Sequence, residues 1–266
     1  MNINKYFSVT NLGFKEALVY RFNFILSIFT TPLSLVIFYF LWKSIFEYSG
    51  MQVIRGFTLQ TMISYYAINM LVGFIIWTYV DEDLEEKIID GTLTPQLLRP
   101  LDYFWEIFSQ HIGYNAFIFL VTIIPITIIA AVFFGLKLPS LINGIFFLIL
   151  LVFAVMANFI TGYLAGLTSF WLKRISGIRR LRRVVISFLA GSFLPLNFFP
   201  DWVAKISNFL PFQYMRYVPI TVYLGKYTTP EILWLVLGAA VWTVALYFIS
   251  KKAWKYAYRQ FAGSGT

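Results

Sequence analysis

Six long apolar runs separated by short charged connections make up most of the chain: residues 24–46, 57–80, 112–134, 141–172, 184–199 and 231–249. An α-helix rises about 1.5 Å per residue, so about 20 apolar residues cross a hydrocarbon core about 30 Å thick. Most of the runs reach that length, and the fifth is short. The pattern predicts an all-α, polytopic membrane protein with six transmembrane helices, forming one membrane domain over residues 1–266. Six spans leave no room for a separate soluble domain of ordinary size, about 100 residues or more. Any large soluble activity is expected to come from another chain.

The connections carry their own signals. Ahead of the first run, Phe7, Phe14 and Leu18 share a helical face with Thr10 and Ala17, while Lys15, Ser8 and Asn11 lie to one side. Val9 and Leu12 interrupt the stripe. The expectation is an interfacial helix over residues 1–22, lying along the inner leaflet, with a plain lead-in helix as the alternative. The connection 81–111 holds 8 of the 12 acidic residues. Its first part, residues 81–86, reads as a solvated helical face continuing the second run. Asp90 and Gly91 mark a turn, and Thr92-Leu93-Thr94-Pro95-Gln96-Leu97-Leu98 can start a short helix with proline in its first turn. Arg99-Pro100 ends it, because a residue before proline is pushed out of the helical region. Leu93, Leu97 and Leu98 would be the apolar contacts of this stub.

Between the fifth and sixth runs, Leu194-Pro195-Leu196-Asn197-Phe198-Phe199-Pro200-Asp201-Trp202 breaks a helix too short to cross comfortably. A small amphipathic helix over 202–210 follows, then Pro211-Phe212. Non-helical backbone at membrane depth is tolerated only when buried in protein or lining a wet cavity. Residues 195–226 therefore read as a hairpin dipping back from the outer face. Trp202, Tyr214, Tyr217 and Tyr223 would sit near the headgroups.

Charge sets the orientation. With the amino terminus inside, 15 of the 21 Lys and Arg residues fall on inner segments, six of them within 173–183, and 6 fall outside, Lys137 and Arg216 among them. Both termini are expected in the cytoplasm of a multi-pass protein of the cell membrane. The net charge of +9 is gathered at 173–183 and 251–259, beside the ends of apolar runs. That placement suits topology and anionic lipid rather than nucleic acid. There is no cysteine, so thiolate metal sites are excluded. Residues 1–21 lack an apolar core followed by a small-residue cleavage site, so no removable signal peptide is expected.

Few residue types here could carry chemistry. The chain has no phosphate-binding glycine loop ending in Lys-Ser or Lys-Thr. His111 is the only histidine and has no second nitrogen or sulfur ligand to share a transition metal; it reads as a helix-end or interface residue. The carboxylates of 81–86 lack the spacing and glycine of a calcium loop. Asn69, Asn115, Asn158 and Thr161 are the main polar groups at depth, either bonding neighbouring helices or lining a path. Ion-coupled carriers usually need intramembrane acids, and these runs offer almost none. Energy is expected to enter from outside the chain.

Several segments, in order, resemble the permease subunits of type-2 ATP-binding-cassette exporters, closest to small six-span permeases that pair with an unlike chain. They are Ala17-Leu18-Val19-Tyr20-Arg21-Phe22-Asn23-Phe24, Tyr39-Phe40-Leu41-Trp42, Asp90-Gly91-Thr92-Leu93 with Leu97-Leu98-Arg99-Pro100, and Pro195-Leu196 through Phe198-Phe199-Pro200 to Leu210-Pro211-Phe212. The resemblance implies a non-catalytic membrane subunit moving an amphipathic cargo such as a drug, antibiotic, lipid or glycan. It implies a coupling helix contacting a separate ATPase through Asp90, Gly91, Thr92, Leu93, Thr94, Gln96, Leu97, Leu98 and Arg99. The outer hairpin would involve Pro195, Phe199, Pro200, Trp202, Pro211 and Phe212. The expected partners are two copies of the ATPase, a second permease (unlike or identical) and membrane lipid. ATP and magnesium would sit on the ATPase, with no cofactor or metal on this chain. The competing classes are an intramembrane lipid-modifying enzyme and a non-transporting anchor or sensor.

Overall fold

The structure, a computed structural model, describes residues 3–19, 21–136 and 138–263, with side chains over 5–19, 22, 24–136 and 138–259. Tyr20 of the entry motif, Lys137 of the outer basic set and the outermost residues of the predicted domain limits lie outside these. So do the side chains of Arg21 and Asn23.

The described residues form helices α1 (Ile3–Val19), α2 (Arg21–Ser49), α3 (Leu59–Ile75), α4 (Val80–Ile89), α5 (Leu93–Leu97), α6 (Tyr103–Ile118), α7 (Ile124–Phe134), α8 (Leu141–Leu167), α9 (Ser169–Leu172), α10 (Ser176–Leu189), α11 (Asp201–Phe209), α12 (Tyr217–Tyr223) and α13 (Thr229–Gly263). Their ends follow local chemistry. Thr58 and Thr61 make a reciprocal capping box at the start of α3, Ser140 caps α8, and Asp102 accepts from Phe104 N and Trp105 N to open α6. A π turn, Phe119–Ile123, joins α6 to α7 just before Pro125, whose missing N–H breaks the regular ladder.

Among the described residues, five helical stretches are long and apolar enough to cross a membrane: Phe24–Ser49, Leu59–Ile89, Tyr103–Phe134, Leu141–Leu172 and Thr229–Arg259. Run 184–199 does not make a sixth of the same kind. Helix α10 starts upstream in the basic segment and ends at Leu189. Gly191 then adopts φ +75, and the chain proceeds through short pieces to α12.

Helix α8 is the hub, touching α13, α4, α12 and α10. Gly162 and Gly166 lie one turn apart on it and admit α4. A Cβ on Gly162 would stand 2.8 Å from Val80 Cγ1, and one on Gly166 would stand 2.8 Å from Leu84 Cδ1. Small residues at such crossings let helices gain dispersion contact where lipid leaves little hydrophobic drive. Around Phe104, the rings of Phe159, Tyr163 and Tyr247 pack edge to face at 5.3–5.5 Å.

Helix α1 lies along α6, which its sequence did not indicate. Tyr6 reaches Asp102, Gly13 meets Gln110, and Phe14 meets Phe117, so the two helices run the same way. Ala17 and Gly13 are buried in this contact, whereas Phe7 and Leu18 of the predicted apolar face remain exposed.

Candidate functional site

The stub predicted at 90–99 is present as a turn and a five-residue helix. Gly91 takes φ +71, the left-handed conformation that a residue with a Cβ rarely adopts, and this turns the chain from α4 into α5. Leu93 is completely buried, and Leu97 is half-buried against the chain's own core. Leu98 is 81% exposed. Asp90, Gly91, Thr92, Thr94 and Arg99 are exposed, and Gln96 is intermediate. Of the three leucines, one anchors the stub inward and one points away from it. Arg99 folds back, Nη1 donating to Glu106 Oε1 at 2.7 Å. Lys251 of α13 donates to Asp102 at 2.6 Å, so the base of the stub is also tied to the last helix.

The acidic stretch above the stub is a solvated face only in part: Glu82 and Glu86 are exposed, but Asp81 and Glu85 are not. Asp81 is 1% exposed and Glu85 is 8% exposed. Arg182 Nη2 donates to Asp81 Oδ2 at 2.8 Å, and Arg179 meets Glu82 at 3.1 Å and also bonds Glu85. The backbone N–H of Ile175 donates to the other Glu85 oxygen at 3.1 Å. Buried carboxylates persist only when paired and hydrogen-bonded; α10 supplies the arginines, and the N–H groups of Ile175 and Glu82 supply further hydrogen bonds. Two arginines of the basic segment are therefore used inside the fold. Asp83 pairs locally with Lys87 at 2.7 Å, whereas the partners of Asp81 and Glu85 lie 90 or more positions away and could not be read from the local sequence.

Between α3 and α4, residues 76–79 are not helical, although they lie within one membrane-length stretch. The freed carbonyls have partners. Asn115 Nδ2 donates to Ile75 O at 3.0 Å and to Trp77 O at 3.4 Å, and Asn158 Nδ2 donates to Ile76 O. Two of the four polar residues expected to act at depth thus satisfy a joint in the second stretch. Thr161 bonds only the carbonyl of Asn158, at 2.9 Å. His111 is buried beside this joint, with Nε2 3.1 Å from Asn115 Nδ2 and its ring against Phe159, rather than at a helix end.

The segment after α10 is held by the same helix, α3. Three consecutive carbonyls accept from its side chains: Tyr65 OH to Gly191 O at 2.6 Å, Asn69 Nδ2 to Ser192 O at 2.8 Å, and Tyr66 OH to Phe193 O at 3.1 Å. Irregular backbone is thereby satisfied inside the protein. Pro195 and Pro211 are buried, Phe199 and Phe212 are half-buried, and Pro200 and Trp202 are exposed. Tyr217, assigned to the headgroups by sequence, is instead 7% exposed and bonds Asn197. Lys226 closes the segment, with Nζ 2.6 Å from Gly56 O and 4.6 Å from the Phe57 ring, and partial burial lowers its ammonium below its ordinary range.

Sequence reasoning counted Arg216 among the outer charges. In the structure its Nη1 donates to both Asn69 O, at 3.0 Å, and Asn69 Oδ1, at 2.9 Å. Asn69 lies ten residues into its helix, about 15 Å along the axis from Leu59. Gly73 makes room: a Cβ there would lie 3.0 Å from the same nitrogen. The available signal was a single arginine between Pro211 and Pro219 in an otherwise uncharged stretch.

Arg216 stands where two cavities of about 320 and 210 Å³ adjoin, both also lined by Gly73 and Trp77. The larger reaches Thr30, Thr31 and Ser34 of α2, and the smaller reaches Arg182, Arg183 and Ser187 of α10. Together they form a groove whose walls are α2, α3 and α10.

A family model described as ABC-2 family transporter protein matches residues 16–265. The chain belongs to that family. No curated protein and no solved structure matches it. Membership makes it a multi-pass membrane permease, a non-catalytic transport component of a family that generally works with an ATPase subunit.

Proposed function

We propose that this ABC-2 permease forms half of the translocation path of an ATP-driven exporter, with a second permease chain completing the path and two copies of a separate ATPase beneath. The coupling helix is the stub of residues 92–99 built on α5, and Leu98, just past the end of α5, is its apolar contact with the ATPase. The chain resides in the cell membrane with both termini in the cytoplasm, and the segment after α10 is a hairpin entered from the outer face. The groove bounded by α2, α3 and α10 is this chain's share of the path, and its cargo is an amphipathic molecule.

One observation carries this reading: the stub continues into α4, and α4 is clamped to α10 by Asp81–Arg182 and Glu85–Arg179. A push on α5 therefore reaches one wall of the groove, α10, through a buried ionic clamp rather than a flexible loop. The joint at 76–79 lets α4 pivot on α3 with its carbonyls still bonded to Asn115 and Asn158.

The test is purification of the full chain from its native membrane, followed by identification of what accompanies it. An ATP-binding-cassette ATPase should come down with it, and Leu98→Asp should abolish cargo movement while ATP hydrolysis by the assembly persists. Transport by the chain alone, with no ATPase bound, would overturn the proposal.

A further inference from the structure

The groove carries charge of one sign. Arg182, Arg183 and Arg216 line it, and no Asp or Glu does. Arg182 is neutralised from behind by Asp81. Arg183 and Arg216 form no ion pair among the described residues. Arg183 stands over the Trp77 ring, its guanidinium carbon 5.8 Å from the centroid. Arg216 directs Nη1 at Asn69, while its buried Nε finds no partner.

A brace for the Asn69 carbonyl needs only a neutral donor. A cation packed against a membrane-length helix is costly and marks a substrate path, and Arg216 has acceptors but no counter-charge among the described residues. The surroundings also have two characters. Arg216, Arg183, Thr78 and Ser187 offer polar groups, and Met70, Phe74 and Ile186 offer apolar ones.

We propose that this groove binds the anionic head of an amphipathic molecule, a phosphate, phosphonate or sulfate, with Arg216 and Arg183 as its cationic contacts. The inference rests on reading the groove as part of the path, and it narrows the cargo from amphipaths in general to anionic ones. A guanidinium is weakly hydrated and offers a planar fork of donors that matches tetrahedral oxyanions. Gly73 keeps the Arg216 fork uncovered. Cationic amphiphiles are repelled by the same two groups.

The experiment uses the full chain in maltoside micelles and native mass spectrometry, with dodecyl phosphate as probe. Wild type should take up one saturable adduct. Arg216→Gln and Arg183→Gln should each weaken it about tenfold, and dodecyltrimethylammonium should not compete. Because the Arg183 side chain forms no hydrogen bond or ion pair among the described residues, the R183Q arm stays informative even where R216Q disturbs folding. Displacement by phosphatidylglycerol would identify a bilayer headgroup as the natural occupant, and resistance to it would identify a free anionic amphiphile. Absence of a saturable adduct, wild-type affinity in R183Q, or equal competition by the cation would overturn the proposal. This binding needs no ATPase. A chain that purifies without one yet binds the anion sinks only the exporter reading, and a coupled exporter that binds none sinks only this one.

Discussion

Arg182 and Asp81, 101 positions apart in sequence, meet at 2.8 Å, with the carboxylate almost wholly shielded from solvent. This contact and its neighbour at Glu85 make α4 and α10 one mechanical unit. The unit joins the stub at α5 to the groove wall.

Removing one partner leaves the other buried and uncompensated, which costs about 3–5 kcal/mol. Asp81→Asn should therefore lower the thermal midpoint of the purified chain clearly. The reciprocal exchange, Asp81→Arg with Arg182→Asp, should recover part of the loss. A double-mutant cycle with no coupling between the two positions would show that the clamp is not formed.

The stub should separate stability from coupling. Leu93 is fully buried, so Leu93→Asp should destabilise the chain severely, by the mechanism of an unpaired charge in a core. Leu98→Asp should melt within about 0.5 kcal/mol of wild type, as exposed substitutions do. Equal melting losses in the two variants would contradict the burial difference.

Gly13 and Gly113 should be intolerant of any side chain. An ideal Cβ at Gly13 lies 1.9 Å from Gln110 O, and one at Gly113 lies 1.8 Å from Thr10 O. Both obstacles are backbone, so neither can rotate away. Gly113→Ala should push α1 off α6 at a cost of about 1–3 kcal/mol. Faster tryptic cleavage after Lys15, with α13 still protected, is the expected readout.

The joint at 76–79 depends on two side-chain amides. Asn158→Ala removes the donor to Ile76 O, and intramembrane hydrogen bonds of this kind are worth about 0.6–1.7 kcal/mol. Asn158→Ala and Asn115→Ala should each cost about that much in a denaturation titration. Asn158→Asp, which cannot donate when ionised, should cost at least as much.

Much of this architecture was legible in the sequence, for a local reason. Run length against bilayer thickness marks a membrane helix regardless of what it packs on, and five runs became such stretches. The turn at Gly91 and the stop at Arg99-Pro100 likewise depend only on nearest-neighbour sterics, and α5 lies between them. The fifth run misled because apolar composition does not reveal where backbone carbonyls find donors. The side chains that hold its irregular turn, Tyr65, Tyr66 and Asn69, come from more than 120 positions earlier.

The order of residues alone determined the solvent of this protein and the places where its helices must turn, because hydrophobic run length, proline and glycine act within a few positions. Only the tertiary structure decided the fate of the charges. Asp81 and Glu85 became clamp residues instead of a solvated face, and Arg216, counted among the loop charges, lines a groove between helices. A buried charge needs a counter-charge or hydrogen-bond acceptors, and which of these arrives depends on how distant helices pack.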